Sequence, residues 1–387
     1  MMSATFSPYE LSLIQPDFDS PLTDLIIELE HLRKKDLGGS THPAVFFQLK
    51  SIFHWLESMG SARIEGNNTT IAEYVETKID DSPRALTSKL LEIDNIDEAM
   101  EFIEDKVKEY PINRIMISEL HKIAVNNLPP PPHGEGDLTP GAYRNHSLKI
   151  NNSTHLPPEP YLVESYMEEL FSFINSENST KYDLLKAAIA HHRFVWIHPF
   201  GNGNGRTVRL FTYAMLVKSG LNINAGRIIN PTAVFCSNRN IYYDMLSKAD
   251  TGTKEGILEW CEYVLRGLKE EIEKVDKLSD YNYLKSKILI PAINYSLERK
   301  FVTDVEAKIL KKTVELQVIK NDDLKDILSN KNTSQISREI KKLVDKKMLI
   351  PEEEGARRYI LMFQNNHLLR GVIHLLDIEG FLPVNDN

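Results

Sequence analysis

A helical pattern that stops and restarts within a few residues constrains the fold most. Residues 183–197 read DLLKAAIAHHRFVWI, with apolar side chains at helical spacing, and Pro199 then denies the helix another turn. Residues 201–205 read GNGNG, and residues 207–217 read TVRLFTYAMLV, which predicts a second helix. The chain must therefore place two helices here with a tight, glycine-rich loop between them.

The loop between these helices carries groups suited to phosphate. Its glycines permit positive φ, so successive backbone N–H groups can converge on one anion, and the start of the following helix also attracts negative charge. Arg206 and Arg209 lie three residues apart on that helix, where both guanidinium groups can reach the same polyphosphate. His198 stands where the first helix ends and can accept a proton near neutral pH. The combination predicts phosphate-transfer chemistry.

Each feature has an ordinary explanation when it is taken alone. A run such as GNGNG is more often a turn, and here it lacks the preceding strand of a dinucleotide-binding site. A lone His198 would cap a carbonyl, and His191 and His192 are expected to pack rather than bind zinc, since no zinc-binding pattern accompanies them. The functional interpretation depends on the residues occurring together.

Residues 198–209 resemble the motif of the Fic (filamentation induced by cyclic AMP) family, His-Pro/x-Phe-x-Asp/Glu-Gly-Asn-Gly/Lys-Arg-x-x-Arg, at every specified position except the acidic one. Residues 61–67, SARIEGN, resemble the inhibitory motif of the subclass that carries its inhibitor before the catalytic core. Residues 141–158 are similar to the family's flap, a β-hairpin that positions the target's hydroxyl-bearing segment. Tyr242-Tyr243 followed by Ala249-Asp250 resembles its adenosine-contacting helix.

The resemblance implies transfer of AMP from ATP to a Ser, Thr or Tyr hydroxyl of a protein, with pyrophosphate leaving. It makes His198 the general base. It places the nucleotide and its phosphates on Gly203, Asn204, Gly205, Arg206, Arg209, Tyr243 and Asp250, and target docking on Leu148, Lys149, Ile150 and His155. The inhibitory role falls to Ser61, Glu65 and Gly66, with Glu65 paired to Arg209 so that the γ-phosphate is displaced and the α-phosphate is misaligned.

One position departs from the family pattern. Asn202 stands where an acidic residue usually coordinates the Mg²⁺ or Mn²⁺ that bridges the phosphates. A neutral amide oxygen can ligate a hard cation, but without charge its metal affinity should be lower. Three interpretations stay open: a metal-demanding adenylyltransferase of low activity, an enzyme for the reverse hydrolysis or another phosphate donor, and an inactive regulator.

Composition is that of a globular protein. The 387 residues are 42% hydrophobic, which is ample for two or three domains, and two cysteines give no disulfide framework. No charged-then-apolar signal opens the chain, and no run approaches the ~18 apolar residues of a membrane span. We therefore expect a cytoplasmic protein with no membrane partner. The net charge of −9 argues against broad polyanion binding by the whole chain.

The fold class expected is mainly α, with a helical core, the small β-hairpin flap and a C-terminal α+β winged helix-turn-helix. Periodicity predicts helices over residues 22–35, 43–59, 86–108, 112–127, 161–176 and 255–277. We predict an N-terminal helical region, residues 1–95, that carries the inhibitory motif. A catalytic core, residues 96–277, holds the flap at 141–158 and the motif at 198–209, and residues 278–387 form a linker helix and the winged-helix-like domain.

The C-terminal region follows a winged-helix rhythm. Helices are predicted at residues 305–316, 321–328 and 333–346, followed by strands around a turn at residues 352–358. The third helix turns Ile336, Ile340, Leu343 and Val344 inward and displays Arg338, Lys341, Lys342 and Lys346, with Arg357-Arg358 in the wing. Because Glu339, Asp345 and residues 352–354 dilute this positive field, DNA binding is an alternative that is not favoured over protein docking.

Two function classes follow. One is an autoinhibited AMP-transferring enzyme that uses ATP and acts on a protein of unknown identity, including itself as an alternative, with a homo-oligomer also open. The other is a DNA- or protein-binding regulator whose core has lost catalysis through Asn202. An intact Glu65 favours the enzyme, because an inactive protein has no need of an inhibitor.

Overall fold

A computed structural model describes residues 6–35, 40–79, 87–150, 153–221, 228–364 and 366–382. The described chain forms two compact units. The first comprises residues 6–35, 57–69, 87–221 and 228–273, and the second comprises residues 40–56, 70–79, 274–364 and 366–382.

Helices dominate both units, as the sequence predicts. In chain order they are α1 (Pro21–Lys34), α2 (Pro43–Ile64), α3 (Ile71–Ile79), α4 (Ser88–Lys106), α5 (Arg114–Ala124), α6 (Pro160–Asn175), α7 (Asp183–Ile197), α8 (Asn204–Lys218), α9 (Thr232–Cys236), α10 (Arg239–Ala249), α11 (Lys254–Asp276), α12 (Tyr281–Tyr283), α13 (Ile290–Glu298), α14 (Asp304–Leu316), α15 (Thr333–Asp345) and α16 (Leu368–Ile378). The predicted mainly α fold class is confirmed.

Helix α8 is the centre of the first unit. It packs against α4, α5 and α7, and α7 also packs against α6. Both faces of α8 are covered, and the fully buried Val208, Phe211 and Ala214 show that it is a core helix rather than a surface one. Polar side chains on this helix are therefore held in a dry setting where their partners must come from the protein or from a bound ligand.

The second unit contains a small antiparallel sheet. Its strands are β1 (Val318–Ile319), β2 (Leu349–Pro351) and β3 (Tyr359–Leu361), in the order β1-β3-β2. Ile360 pairs with Val318 on one side and with Ile350 on the other. Helix α13 packs on α14 and α16, and α15 turns Ile336, Ile340 and Leu343 inward as predicted.

Two local predictions are wrong. No paired strands form in the described part of the flap, residues 141–150 and 153–158, where His155 makes only an isolated bridge. The Arg144 guanidinium there binds the carbonyls of His146 and Pro158, so groups that a hairpin would pair are taken by a side chain. The helix predicted at residues 321–328 is a short 3₁₀ turn, Asn321–Leu324, followed by turns.

None of the helices in the described ranges combines the length and the apolar character needed to cross a bilayer.

Candidate functional site

The motif loop, residues 198–203, takes a shape that its sequence imposes. His198 ends α7 with φ of +52°, its N–H bonded to the Phe194 carbonyl, and Pro199 excludes further helix. Gly203 begins α8 with φ of +74°, and a Cβ there would lie 2.8 Å from Val125 Cγ1. Only glycine meets both the backbone angle and the close packing at this position.

Asn204 fixes the loop from inside. Its Oδ1 accepts the Phe200 N–H and its Nδ2 donates to the Phe200 carbonyl, both at 2.9 Å. These bonds use both ends of the amide. The side chain therefore shapes the loop, and the contribution to phosphate binding predicted for Asn204 stays a prediction that concerns its backbone N–H alone.

Arg144 joins the flap to the motif loop. The residue is buried, its Nε donates to the His198 carbonyl at 2.8 Å, and its backbone N–H donates to the Pro199 carbonyl at 2.8 Å. Nothing local in the sequence distinguishes a buried arginine from an exposed one at this position. The structure shows a clamp on the backbone that carries His198.

The surroundings of His198 determine which of its ring nitrogens carries the proton. Nδ1 lies 3.3 Å from the Val195 carbonyl oxygen, which can only accept, so Nδ1 carries the proton and Nε2 keeps its lone pair. Burial lowers the pKa of His198 to about 4, with the charge of Arg144 acting in the same direction. The imidazole is therefore neutral at physiological pH and can accept a proton through Nε2.

The inhibitory motif forms the end of α2. The Gly66 N–H bonds to the Arg63 carbonyl and the Asn67 N–H bonds to the Ala62 carbonyl, at 3.0 and 3.1 Å, with Gly66 at φ of +104°. This is a Schellman ending, in which glycine at the left-handed position lets the chain turn away. Glu65 is consequently the last residue before the turn, so its side chain projects from a fixed helix end.

Glu65 binds Arg209. The Glu65 Oε1 accepts from Arg209 Nη2 at 2.7 Å, while Ser61 accepts from Arg209 through its Oγ at 2.8 Å and its carbonyl at 2.9 Å. Burial would raise the pKa of the Glu65 carboxyl, but the charges of Arg209 and Arg206 outweigh it and lower that pKa. The side chain of Arg209 is 2% exposed and that of Glu65 is 27% exposed, so solvent reaches only the carboxylate.

Arg206 is held by a second carboxylate. Its Nη1 lies 3.1 Å from Glu92 Oε1, its Nη2 donates to the Glu135 carbonyl, and the guanidinium is buried. Within the described ranges, Nε and Nη1 of Arg206 have no hydrogen-bond acceptor. A buried cation with unused donors fits a site for phosphate oxygens.

Asn202 faces the chain that precedes the flap. Its Nδ2 donates to the Gly136 carbonyl at 3.0 Å, its N–H donates to Asp137 Oδ2 at 2.7 Å, and its carbonyl lies 3.0 Å from His121 Nε2. The described residues hold no cluster of three or more His, Cys, Asp or Glu that could bind a metal unaided. A metal role for Asn202 therefore stays a prediction, in which its Oδ1 and the nucleotide phosphates would hold the ion and the ion would neutralise phosphate charge.

Helix α10 carries the residues predicted to contact adenosine. Tyr243 is 42% exposed and its hydroxyl accepts from Arg239 Nε at 3.2 Å, so its ring faces solvent. Tyr242 is buried, with its hydroxyl 2.9 Å from His191 Nε2. Asp250 follows the helix and its Oδ1 lies 3.0 Å from His192 Nε2. Tyr243 is accessible to a ligand, whereas Asp250 is already paired.

The flap residues differ in exposure. Lys149 is exposed, and Leu148 and Ile150 are half-buried, which leaves this short stretch accessible. His155 is buried, stacks on Trp196 and donates from Nε2 to the Trp196 carbonyl at 2.8 Å. Its side chain lies in the core, so a direct contact with a target protein does not fit this residue.

Comparison with known proteins identifies the domain. Residues 111–216 match the model of the Fic/DOC family, and the chain therefore contains a Fic/DOC domain. It is 29% identical over 198 residues to "Protein adenylyltransferase Fic" of Nematostella vectensis and 31% identical over 197 residues to the protein of that name in Drosophila yakuba. Each match spans 50% of this chain, but only 42% and 36% of those proteins.

Solved structures share the fold. A Fic family protein from Desulfovibrio desulfuricans aligns with a TM-score of 0.53 and 18% identity, over 91% of this chain and 98% of that one. Fic-1 from C. elegans aligns with a TM-score of 0.53 and 21% identity, over 66% of this chain and 71% of that one. At these identities the likeness concerns the fold alone.

Proposed function

We propose that this chain is a protein adenylyltransferase held inactive by Glu65. The observation that carries the proposal is the Arg209–Glu65 ion pair, 2.7 Å long, in the second turn of α8. The names of the relatives support AMP transfer for the matched domain. ATP is the nucleotide substrate, and a protein hydroxyl is the acceptor.

The reaction follows from the placement of the groups. The acceptor oxygen attacks the α-phosphorus, the bond from that phosphorus to the β-phosphate oxygen breaks, and pyrophosphate leaves. His198 Nε2 takes the hydroxyl proton, since Nδ1 already donates to Val195. Arg206 and the amides of the motif loop stabilise charge on the phosphates, and a bound Mg²⁺ or Mn²⁺ would do the same through Asn202.

Inhibition is competition for one guanidinium. While Glu65 and Ser61 use the Nε and Nη2 donors of Arg209, the Glu65 carboxylate takes the place beside the guanidinium that a γ-phosphate needs. ATP can then bind only in a pose that misaligns the α-phosphate for in-line attack. Binding of nucleotide without transfer is the expected state of the wild-type protein.

The C-terminal elements serve a separate purpose in this proposal. The order α14, β1, α15, β2, β3 supports a winged-helix domain. Exposed Arg338 and Lys341 favour a polyanion, but Glu339 of the same helix binds Lys331 and Lys342 and cancels much of the charge. Protein docking is therefore favoured over DNA for α15.

Intact-protein mass spectrometry tests the function. Wild type, Glu65→Gly and Glu65→Gly/His198→Ala are incubated with ATP and either Mg²⁺ or Mn²⁺, alone and with cell lysate. An AMP adduct should form with Glu65→Gly and be lost in the double variant. Glu379→Gly is the matched control, because Glu379 also precedes a positive-φ glycine at a helix end. No adduct on any protein with either metal would exclude the proposal.

A further inference from the structure

The second carboxylate beside the motif loop belongs to a network that includes the inhibitory motif. Glu92 presents Oε1 to Arg206 Nη1 at 3.1 Å, and its Oε2 accepts from Asn67 Nδ2 at 2.8 Å. Asn67 is two residues beyond Glu65. Both arginines of α8 are thus engaged by carboxylates that the same short segment holds in place.

Asn67 is anchored on every side. Its Nδ2 also donates to the Lys89 carbonyl at 2.8 Å, and its Oδ1 accepts from the backbone and hydroxyl of Thr69 at 3.0 and 2.8 Å. The side chain is buried. One asparagine therefore attaches the turn after α2 to the first turns of α4, which carries Glu92.

The contact between Glu92 and Arg206 is an ion pair that leaves N–H donors of Arg206 unused. The two atoms are close enough for an ion pair, yet Arg206 Nη1 and Glu92 Oε1 both lack a hydrogen-bond partner among the described residues. The Nε of Arg206 is equally unused. Glu92 fixes the buried Arg206 guanidinium electrostatically. The Nε and Nη1 N–H groups of Arg206 stay available to phosphate oxygens.

Burial makes the support from Asn67 necessary. Desolvation raises the pKa of Glu92, although Arg206 and the hydrogen bond from Asn67 oppose it. Without Asn67, the carboxylate would lose one of the two interactions that favour its charged form. A neutral Glu92 would leave the Arg206 charge without its close buried partner.

We propose that Asn67 and Glu92 are positioning residues for Arg206, so the segment that inhibits through Glu65 also supports catalysis and must stay docked on α4 when Glu65 is released. This inference rests on the proposed function. It also limits how the enzyme can be activated. A trigger has to move the Glu65 side chain off Arg209, whereas detaching the whole segment that contains Glu65 and Asn67 would disable the enzyme.

The test compares nucleotides that differ by one phosphate. In the Glu65→Gly background, calorimetry measures Kd for ADP and AMP, and steady-state kinetics measure KM for ATP and kcat. Glu92→Gln keeps the side-chain volume and an acceptor for Asn67 but removes the charge, and Asn67→Ala removes the anchor. In the proposed reaction Arg206 binds the departing phosphates, which AMP lacks. Both changes should therefore weaken ADP binding by about tenfold, the order of one charge-assisted hydrogen bond, and leave AMP affinity unchanged.

Glu92→Asp should recover part of the ADP affinity, because it restores the charge. In the presence of Glu65, Asn67→Ala should also fail to activate AMP transfer. If Glu92 and Asn67 had only a structural role, their substitution would lower the affinities for ADP and AMP together.

Two results would overturn the inference: an ADP-to-AMP preference unaltered by Glu92→Gln, or activation by Asn67→Ala equal to that of Glu65→Gly. If Glu65→Gly transfers no AMP at all, the proposed function fails, and the ADP and AMP affinities still decide whether Glu92 positions Arg206. Thermal unfolding of each variant shows whether it is folded. If Asn67→Ala does not fold, the isosteric change Glu92→Gln still gives the measurement.

Discussion

Gly205 makes room for the carboxylate that occupies Arg209. A Cβ built there would lie 2.1 Å from Glu65 Oε1 and 3.2 Å from Arg209 Nη1. The first distance is impossible, and the group that can move is the flexible end of Glu65. The contact between Glu65 and Arg209 therefore depends on the absence of a side chain at position 205 as well as on opposite charges.

We predict that Gly205→Ala activates AMP transfer in the direction of Glu65→Gly, since the new methyl group displaces Glu65 from Arg209. The measurement is the rate of AMP incorporation. Adding Gly205→Ala to Glu65→Gly should give no further increase, because the displaced group is already gone. A Gly205→Ala protein as inactive as wild type, with the double variant fully active, would contradict this account.

Asn202 is explained by a bond that aspartate could not make. Its Nδ2 donates to the buried Gly136 carbonyl, and its N–H already binds the Asp137 carboxylate. Aspartate at this position would face a carbonyl with no donor and add charge beside Asp137. The amide thus stabilises the loop, and a lower metal affinity at this position stays a prediction.

We predict that Asn202→Asp lowers the Mg²⁺ concentration needed for half-maximal AMP transfer by Glu65→Gly, because it adds a charged ligand. The same change should lower the free energy of unfolding by about 1–3 kcal/mol through the lost bond to Gly136. Metal titration and thermal melts measure the two effects. An unchanged Mg²⁺ requirement would show that position 202 does not touch the metal.

The end of α2 determines where Glu65 points. Gly66 has φ of +104° with open space around its Cβ position, and Gly220 after α8 has φ of +96° with the same open surroundings and the same Schellman bonds. Alanine at either position is strained by backbone angle alone. The two helix ends form a matched pair that differs in the residue before the glycine: Glu65 precedes Gly66, and Ser219 precedes Gly220.

We predict that Gly66→Ala and Gly220→Ala each lower the free energy of unfolding by about 1–3 kcal/mol. Only Gly66→Ala should raise AMP transfer, because its strained turn shifts Glu65 away from Arg209. Thermal melts and AMP incorporation are measured on the same preparations. Equal activation by both variants would mean that general loosening, rather than the position of Glu65, controls activity.

The helices were predictable from sequence to within a few residues because their apolar spacing is regular. Residues 183–197 and α7 have the same bounds, and residues 333–346 differ from α15 only at the last position. The predicted flap hairpin did not form because the Arg144 guanidinium binds the carbonyls of His146 and Pro158, which strands would have paired. Glu92 could not be found either, since its significance comes only from folding beside Arg206.

In the first unit, buried ionisable groups make the stability of the fold depend on pH in opposite directions. Burial lowers the pKa of His121 and His198 to about 4, from 6.5. Burial raises the pKa of Glu57 to about 8, from 4.5. Between pH 4 and 6.5 the unfolded chain binds more protons than the folded chain through the two histidines, which lowers stability on acidification. Between pH 4.5 and 8 it binds fewer through Glu57, which offsets part of the histidine effect below pH 6.5 and lowers stability on alkalinisation above it.

We predict that the melting temperature is highest near pH 6.5. Glu57→Gln should flatten the decline between pH 6.5 and 8, because it removes the group that ionises on unfolding. It should also steepen the decline between pH 6.5 and 4.5, because Glu57 no longer offsets the histidines there. Thermal melts across pH 4 to 9 measure both arms. A decline above pH 6.5 that is as steep in Glu57→Gln as in wild type would rule out Glu57 as its cause.

In the proposed function, Arg209 serves either Glu65 or a γ-phosphate, and this choice controls the activity of the whole molecule. The most direct measurement is the ratio of Kd values for ADP and ATP, by calorimetry with Mg²⁺, in wild type, Glu65→Gly and Glu65→Gly/Arg209→Ala. Wild type should bind the two nucleotides about equally, Glu65→Gly should favour ATP by about tenfold or more, and the Arg209 change should abolish that preference. An ADP-to-ATP ratio that is the same in wild type and Glu65→Gly would contradict the competition on which the proposal rests.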